Sequence, residues 1–167
     1  MLNLFSKIEK IIVRSSNSIG SISIIIMMLM ITVEVILRTV AKRSLLIADE
    51  YSGYLMAVVV YWGASSAFYS GSFVRVKALF DRFPQKIRKA LDMIFYVLFI
   101  IFNTFLSYFF FNSVTKILKL GSISSTIART PLIVPMGFTL VGLLIFELFL
   151  IIRFTLYIAT GKEETDE

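Results

Sequence analysis

Glu147 stands in the middle of an apolar run, between Phe146 and Leu148, with no basic residue within one helical turn. A carboxyl held in hydrocarbon stays neutral unless it finds a donor, and ionisable groups at such depth are functional candidates by default. Asn103, central in a second apolar run, is one donor within the chain; a polar group on a partner subunit is the other. A third reading makes Glu147 a proton-coupled carboxylate and the chain a self-sufficient small transporter. Glu34 and Arg38 sit one helical turn apart near the end of another run, a spacing that suits an ion pair with the arginine snorkelling outward. Arg153, near the end of the last run, reads as an interface anchor. With no Cys and no His, disulfides, thiol chemistry, haem ligation by His and the usual zinc sites are excluded, so neither cofactor nor metal is expected.

These groups are carried by four apolar runs, roughly 19–40, 51–70, 93–114 and 132–158. A helix of about 20 apolar residues crosses a bilayer, so the fold class is an all-α integral membrane protein with four transmembrane helices. The spans are expected over about 19–40, 49–71, 88–118 and 132–158, within a single membrane domain covering residues 1–167. At 57% hydrophobic and 17% charged, with the charge confined to the breaks, the chain lacks the polar outer layer that a soluble bundle needs. The stretches between spans are too short to hold a catalytic domain, so no enzyme is expected. Lys7, Lys10 and Arg14 resemble the start of a signal peptide, but the apolar run after them is too long and no small-residue cleavage site follows. The first span is therefore expected to remain as an anchor.

Basic residues set the orientation. With the N-terminus inside, eleven face the cytoplasm (Lys7, Lys10, Arg14, Arg75, Lys77, Arg82, Lys86, Arg88, Lys89, Arg153, Lys162) and six face outward (Arg38, Lys42, Arg43, Lys116, Lys119, Arg129). Both termini are therefore expected in the cytoplasm, ahead of a short acidic C-terminal tail. Residues 2–14 and the central loop 73–84 place apolar side chains on one face and charge on the other, as helices lying in the interface do. In the loop, Arg75, Lys77 and Arg82, with Lys86, Arg88 and Lys89 after it, suit anionic phospholipid headgroups. The basic balance needs no nucleic acid to explain it.

The third helix should run from Gln85 to about Leu120, some 50 Å, longer than the bilayer is thick. Gly121 ends it, and Pro131 and Pro135 mark entry to the fourth span. In the second span Gly53, Ala57, Val60, Ala64, Ala67 and Gly71 form a stripe of small residues broken only by Val60, a seam for close helix approach. Ser66 and Ser70 flank it, and mid-span Trp62 is expected to fill a gap between helices. The aromatic third span, from Phe95 to Phe111, suits lipid or a large apolar partner.

From Arg38 through Arg88 the sequence resembles the small membrane subunit (DctQ-type small permease) of tripartite ATP-independent periplasmic (TRAP) transporters. The resemblance rests on Arg38 ending the first span, Ala48-Asp49-Glu50 opening the second, the loop Gly71-Ser72-Phe73-Val74-Arg75-Val76, then Leu79 and Phe83-Pro84. Length and four-span layout agree. Phe73 and Lys77 depart from the His and Asp that family members often show there.

The resemblance implies a bacterial inner-membrane complex. In it a soluble periplasmic binding protein hands an organic acid, such as a sialic acid, dicarboxylate or keto acid, to a large many-span subunit. That subunit works as a sodium-driven elevator, and the small subunit is its fixed partner. Under that reading Glu34, Arg38, Asp49, Glu50, Gly53, Ala57, Ala64, Ala67, Gly71 and Glu147 are the expected subunit-interface residues. Asp49 and Glu50 have three roles open to them: capping the second helix, pairing with Arg38 or Arg43, or meeting the large subunit. Lys42, Arg43, Lys119 and Arg129 are the expected docking points for the receptor. Anchoring another complex, such as a respiratory enzyme, is the remaining alternative.

Overall fold

A computed structural model describes residues 2–42, 44, 47–71 and 84–160. It contains four helices: α1 (Leu2–Val40), α2 (Ala48–Tyr69), α3 (Gln85–Leu120) and α4 (Ile133–Thr160). Three of them are long and apolar enough to cross a membrane, over Phe5–Val40, Lys89–Leu120 and Ile133–Ala159. α2 falls short on apolarity, because Gly53, Tyr54, Tyr61, Gly63, Ser65 and Ser66 dilute its aliphatic centre. The all-helical class holds among the described residues, with three of the four expected spans recognisable on length and composition alone.

Residues 2–14, expected as a separate interfacial helix, form the opening turns of α1 with no break before the span. No Gly or Pro interrupts the chain before Gly20. The Ser15 and Ser18 hydroxyls fold back onto the carbonyls of Ile11 and Arg14, which keeps these polar residues compatible with a helix in an apolar setting. Residues 73–83 of the expected loop helix lie outside the described residues.

α1 is polar inside and apolar outside. Glu9, Ile12, Ser16, Gly20, Ser23 and Glu34 are buried along one face, while Ile22, Ile25, Met28 and Leu29 are exposed. Water would reverse this arrangement; lipid favours it, because packing and hydrogen bonds rather than apolar burial hold membrane helices together. α3 follows the same rule, burying Asp92, Tyr96, Asn103 and Ser107 while Ile101, Phe102 and Phe105 point outward.

α4 is the hub. It packs against α1, α2 and α3, and α1 packs along α2. α3 rests on α4 and reaches α2 through aromatic rings, Phe68 against Tyr96 and Phe99, and Tyr61 against Phe110. The core gathers where Phe68 of α2 meets Phe146 and Phe149 of α4, with Ile12, Tyr96, Leu150 and Leu156 around them.

Two close approaches set the helix spacing. A Cβ at Gly20 would lie 3.8 Å from the Gly63 Cα, so α1 and α2 touch backbone to backbone there. Trp62 stacks on Phe138 with ring centroids 4.9 Å apart and donates from Nε1 to the Phe138 carbonyl at 2.9 Å. Its indole occupies the space over Gly142, where a Cβ would come within 2.6 Å of the ring. Trp62 thus fills the gap between α2 and α4, and Gly142 makes that gap.

The element ends follow from backbone chemistry. Pro84 precedes α3 in an extended conformation, and Gly121 closes it with φ of 58°, a left-handed value that glycine adopts without strain. The α3–α4 connection folds back on itself through an Ile123–Pro131 bridge and the hydrogen bond from Ser124 N to Thr130 O.

Candidate functional site

Three polar sets lie within or at the ends of the helices. At the end where α1 begins, the Glu9 carboxylate accepts a hydrogen bond from Arg153 Nη1 at 2.7 Å, with side chains 2% and 5% exposed. The Arg153 guanidinium also lies 5.1 Å from the Tyr69 ring centre, a cation–π distance. Tyr157 donates to Asp92 Oδ2 at 3.4 Å alongside. Arg153 is therefore a buried ion-pair partner, not an exposed interface anchor. The signal for Glu9 lay in its position: it shares the apolar face of Phe5 and Ile12, an acid where the pattern calls for an apolar residue.

At the opposite end, Arg38 donates to Glu34 Oε1 at 3.0 Å, in the i, i+4 geometry expected of the pair. Ser44 donates to the same oxygen at 2.5 Å. Glu34 is buried while Arg38 keeps its side chain 60% exposed, so the arginine reaches outward from a fixed acid. Nearby, Glu50 accepts from Tyr54 Oη at 2.7 Å and from the Thr126 hydroxyl, and Thr130 donates to Tyr51 Oη at 3.3 Å. These contacts tie the start of α2 to the α3–α4 connection. Asp49 is exposed in the same first turn, where negative charge suits the helix dipole.

Midway along α3 and α4, Asn103 Nδ2 donates to Glu147 Oε2 at 2.5 Å and to the Leu143 carbonyl at 3.2 Å. Thr104 Oγ1 lies 2.7 Å from Glu147 Oε1. The Asn103 partner anticipated from sequence is present; Thr104, which sequence reading missed, is exposed beside it. Its signal was adjacency, because two successive polar residues on a helix reach both oxygens of one carboxyl.

The small residues of α2 separate by role. Ala64 packs on the core, and Ala67 lines a groove of about 260 Å³ between α1 and α2 with Asn17, Gly20, Ser21, Gly63 and Ser66. Ala57 is half-buried, Gly53 is exposed with open space beside it, and Gly71 ends the element with φ of 65°. The close helix contact uses Gly63, off the expected stripe.

Of the basic residues, Lys42, Lys119, Arg129 and Lys89 are exposed. Arg43, Arg75, Lys77 and Arg82 lie outside the described residues, and the side chains of Lys86 and Arg88 are likewise not described. No group of three or more metal-ligating side chains occurs among the described residues.

The chain matches the family described as "Tripartite ATP-independent periplasmic transporters, DctQ component" over residues 27–159. No curated protein and no solved structure matches it. The family match covers the C-terminal third of α1, all of α2 and α3, and α4 to its penultimate residue. This helical membrane chain belongs to the DctQ family, the small subunits of TRAP transporters.

Proposed function

We propose that the protein is the static membrane brace of a sodium-driven, receptor-dependent importer of organic acids such as sialic acids or dicarboxylates. It holds the scaffold of a large elevator-type subunit and helps to dock a periplasmic binding protein. The single observation that carries this reading is the family match over 27–159. The geometry supports it. Three glutamates within the helices sit in short, separate polar sets: Glu9 with Arg153, Glu34 with Arg38 and Ser44, Glu147 with Asn103 and Thr104. A solute pathway needs a continuous polar lining, whereas a brace needs fixed helices with apolar outer faces.

In this reading α2 is the fourth crossing. Its 22 residues span about 33 Å at the helical rise, close to the hydrocarbon thickness. Both termini lie in the cytoplasm of a bacterial inner membrane. Glu34, Arg38, Asp49, Glu50 and Glu147 offer polar contacts to the large subunit, while Gly53, Ala57 and Gly71 admit its helices closely; Ala64 and Ala67 serve the chain's own packing. Lys42, Arg43, Lys119 and Arg129 meet acidic patches on the receptor. Arg75, Lys77, Arg82, Lys86, Arg88 and Lys89 meet phospholipid headgroups. The protein performs no catalysis and needs no cofactor.

Reconstitution tests the assignment. Liposomes holding this chain alone are expected to show no sodium-driven uptake. Liposomes that also hold a large TRAP subunit, with its receptor added, are expected to accumulate substrate. Uptake by this chain alone would replace the brace with a self-sufficient transporter acting through Glu147 or Glu34.

A further inference from the structure

The polar set around Glu147 is short of hydrogens. Asn103 commits one Nδ2 hydrogen to Glu147 Oε2 and the other to the Leu143 carbonyl. Thr104 Oγ1 lies 2.8 Å from the Ile100 carbonyl and 2.7 Å from Glu147 Oε1, and its one hydrogen serves only one of them at a time. A carboxylate offers about four acceptor positions, so this chain supplies at most two of the donors that the group can take. Glu147 is half-buried rather than enclosed, and no Lys or Arg among the described residues reaches it.

The bundle does not fully enclose the carboxyl. Glu147 lies at the edge of an exposed strip of α4 formed by Leu144, Leu148 and Ile151. Thr104 shares a face of α3 with the exposed Ile101 and Tyr108. The two strips border the α3–α4 contact line, the furrow between two packed helices in which the half-buried Glu147 carboxyl meets Asn103 and Thr104. Lipid tails have no donors to offer there, and an acceptor left facing hydrocarbon is costly. An apolar helix bearing one donor satisfies both the furrow and the carboxyl.

We infer that the α3–α4 furrow around Glu147 is where a transmembrane helix of the large subunit docks, presenting one side-chain hydrogen-bond donor to the Glu147 carboxyl. The inference rests on the accessory reading above and names the face and the chemistry that reading uses. It assigns the α1 face of Ile22, Ile25 and Leu29 to lipid.

The test is co-purification of the large subunit with the tagged small subunit from membranes expressing both. Leu144→Trp blocks the furrow at an exposed position. Glu147→Leu removes the acceptor, and Ile25→Trp is the control on the α1 face. Leu144→Trp and Glu147→Leu are each expected to lower recovery of the large subunit roughly tenfold, the scale of one lost intramembrane hydrogen bond with its packing. Ile25→Trp is expected to leave recovery unchanged. The purified Leu144→Trp chain should keep the thermal midpoint and elution volume of the unmodified one, which separates lost docking from lost folding. Unchanged recovery with Leu144→Trp would overturn the assignment and give this face to lipid, as would a loss seen equally with Ile25→Trp. Failure of the unmodified chain to recover any large subunit would instead remove the accessory reading itself.

Discussion

Glu9 and Arg153, 144 positions apart, meet at 2.7 Å with both side chains almost fully buried between α1 and α4. Deleting one member strands a buried charge, whereas replacing both with apolar side chains does not. Glu9→Ala should therefore cost about 3–5 kcal/mol of stability, with Arg153→Met costing a similar amount. The double change Glu9→Leu with Arg153→Met should recover most of the loss. Thermal unfolding in detergent, read by circular dichroism, checks the cycle; additive losses in the double variant would show that the two residues do not act as a pair.

Gly142 and Trp62 make a second coupled site. A methyl at position 142 would enter the indole ring at 2.6 Å, and overpacking of this kind costs about 1–3 kcal/mol. Gly142→Ala should lower the unfolding midpoint, and Trp62→Phe added to it should restore part of the loss. Because the chain has a single Trp, the emission shift of Gly142→Ala reports on that contact directly.

At Gly20 size should decide the sign. Its Cβ position lies 3.8 Å from the Gly63 backbone, ordinary contact distance. Gly20→Ala should be neutral or stabilising by about 0.5 kcal/mol through the unfolded chain, while Gly20→Leu should separate α1 from α2 at a cost of about 1–3 kcal/mol. A cysteine pair across the α1–α2 contact should cross-link in the alanine variant and fail to do so in the leucine variant.

Reversing charge at Lys42 and Arg43 should reduce receptor-dependent uptake severalfold while the two membrane subunits still co-purify. The defect should shrink as salt rises, because exposed charges are screened beyond about 10 Å at 0.1 M salt. Uptake equal to that of the unaltered complex at low salt would remove these residues from receptor docking.

The absence of cysteine makes the orientation directly measurable. A membrane-impermeant maleimide added to intact spheroplasts should label Lys119→Cys and spare Lys7→Cys. The reverse pattern would invert the topology.

The sequence made the helices and their ends legible because those features are local. Pro84 and Gly121 bracket α3 by backbone geometry alone, and α1 and α4 declare themselves by apolar length. The Asn103–Glu147 contact was legible because two polar groups at matching depth in apolar helices have few other partners. Glu34 and Arg38 were legible because their pairing is internal to one helix. Glu9 was not, since its partner arrives from the far end of the chain and a charge near a span terminus reads as a headgroup contact. The small-residue stripe of α2 showed close packing without showing which face carries it; Gly63 meets α1 because Gly20 lies opposite, a fact of three dimensions. α2 is absent from the helices recognisable as spans because a helix packed between neighbours carries Ser, Gly and Tyr where a lipid-facing one carries Ile and Leu.

The hub position of α4 also sets an order of birth. α1, α2 and α3 leave the ribosome first, yet the helix that packs against all three emerges last. Arg153 follows Glu9 by 144 residues, an interval on the order of ten seconds at ordinary translation speed. During that interval the insertion machinery holds an unfinished set of helices, and a nonsense codon anywhere before position 133 should leave a fragment that cannot close and is cleared by membrane proteases.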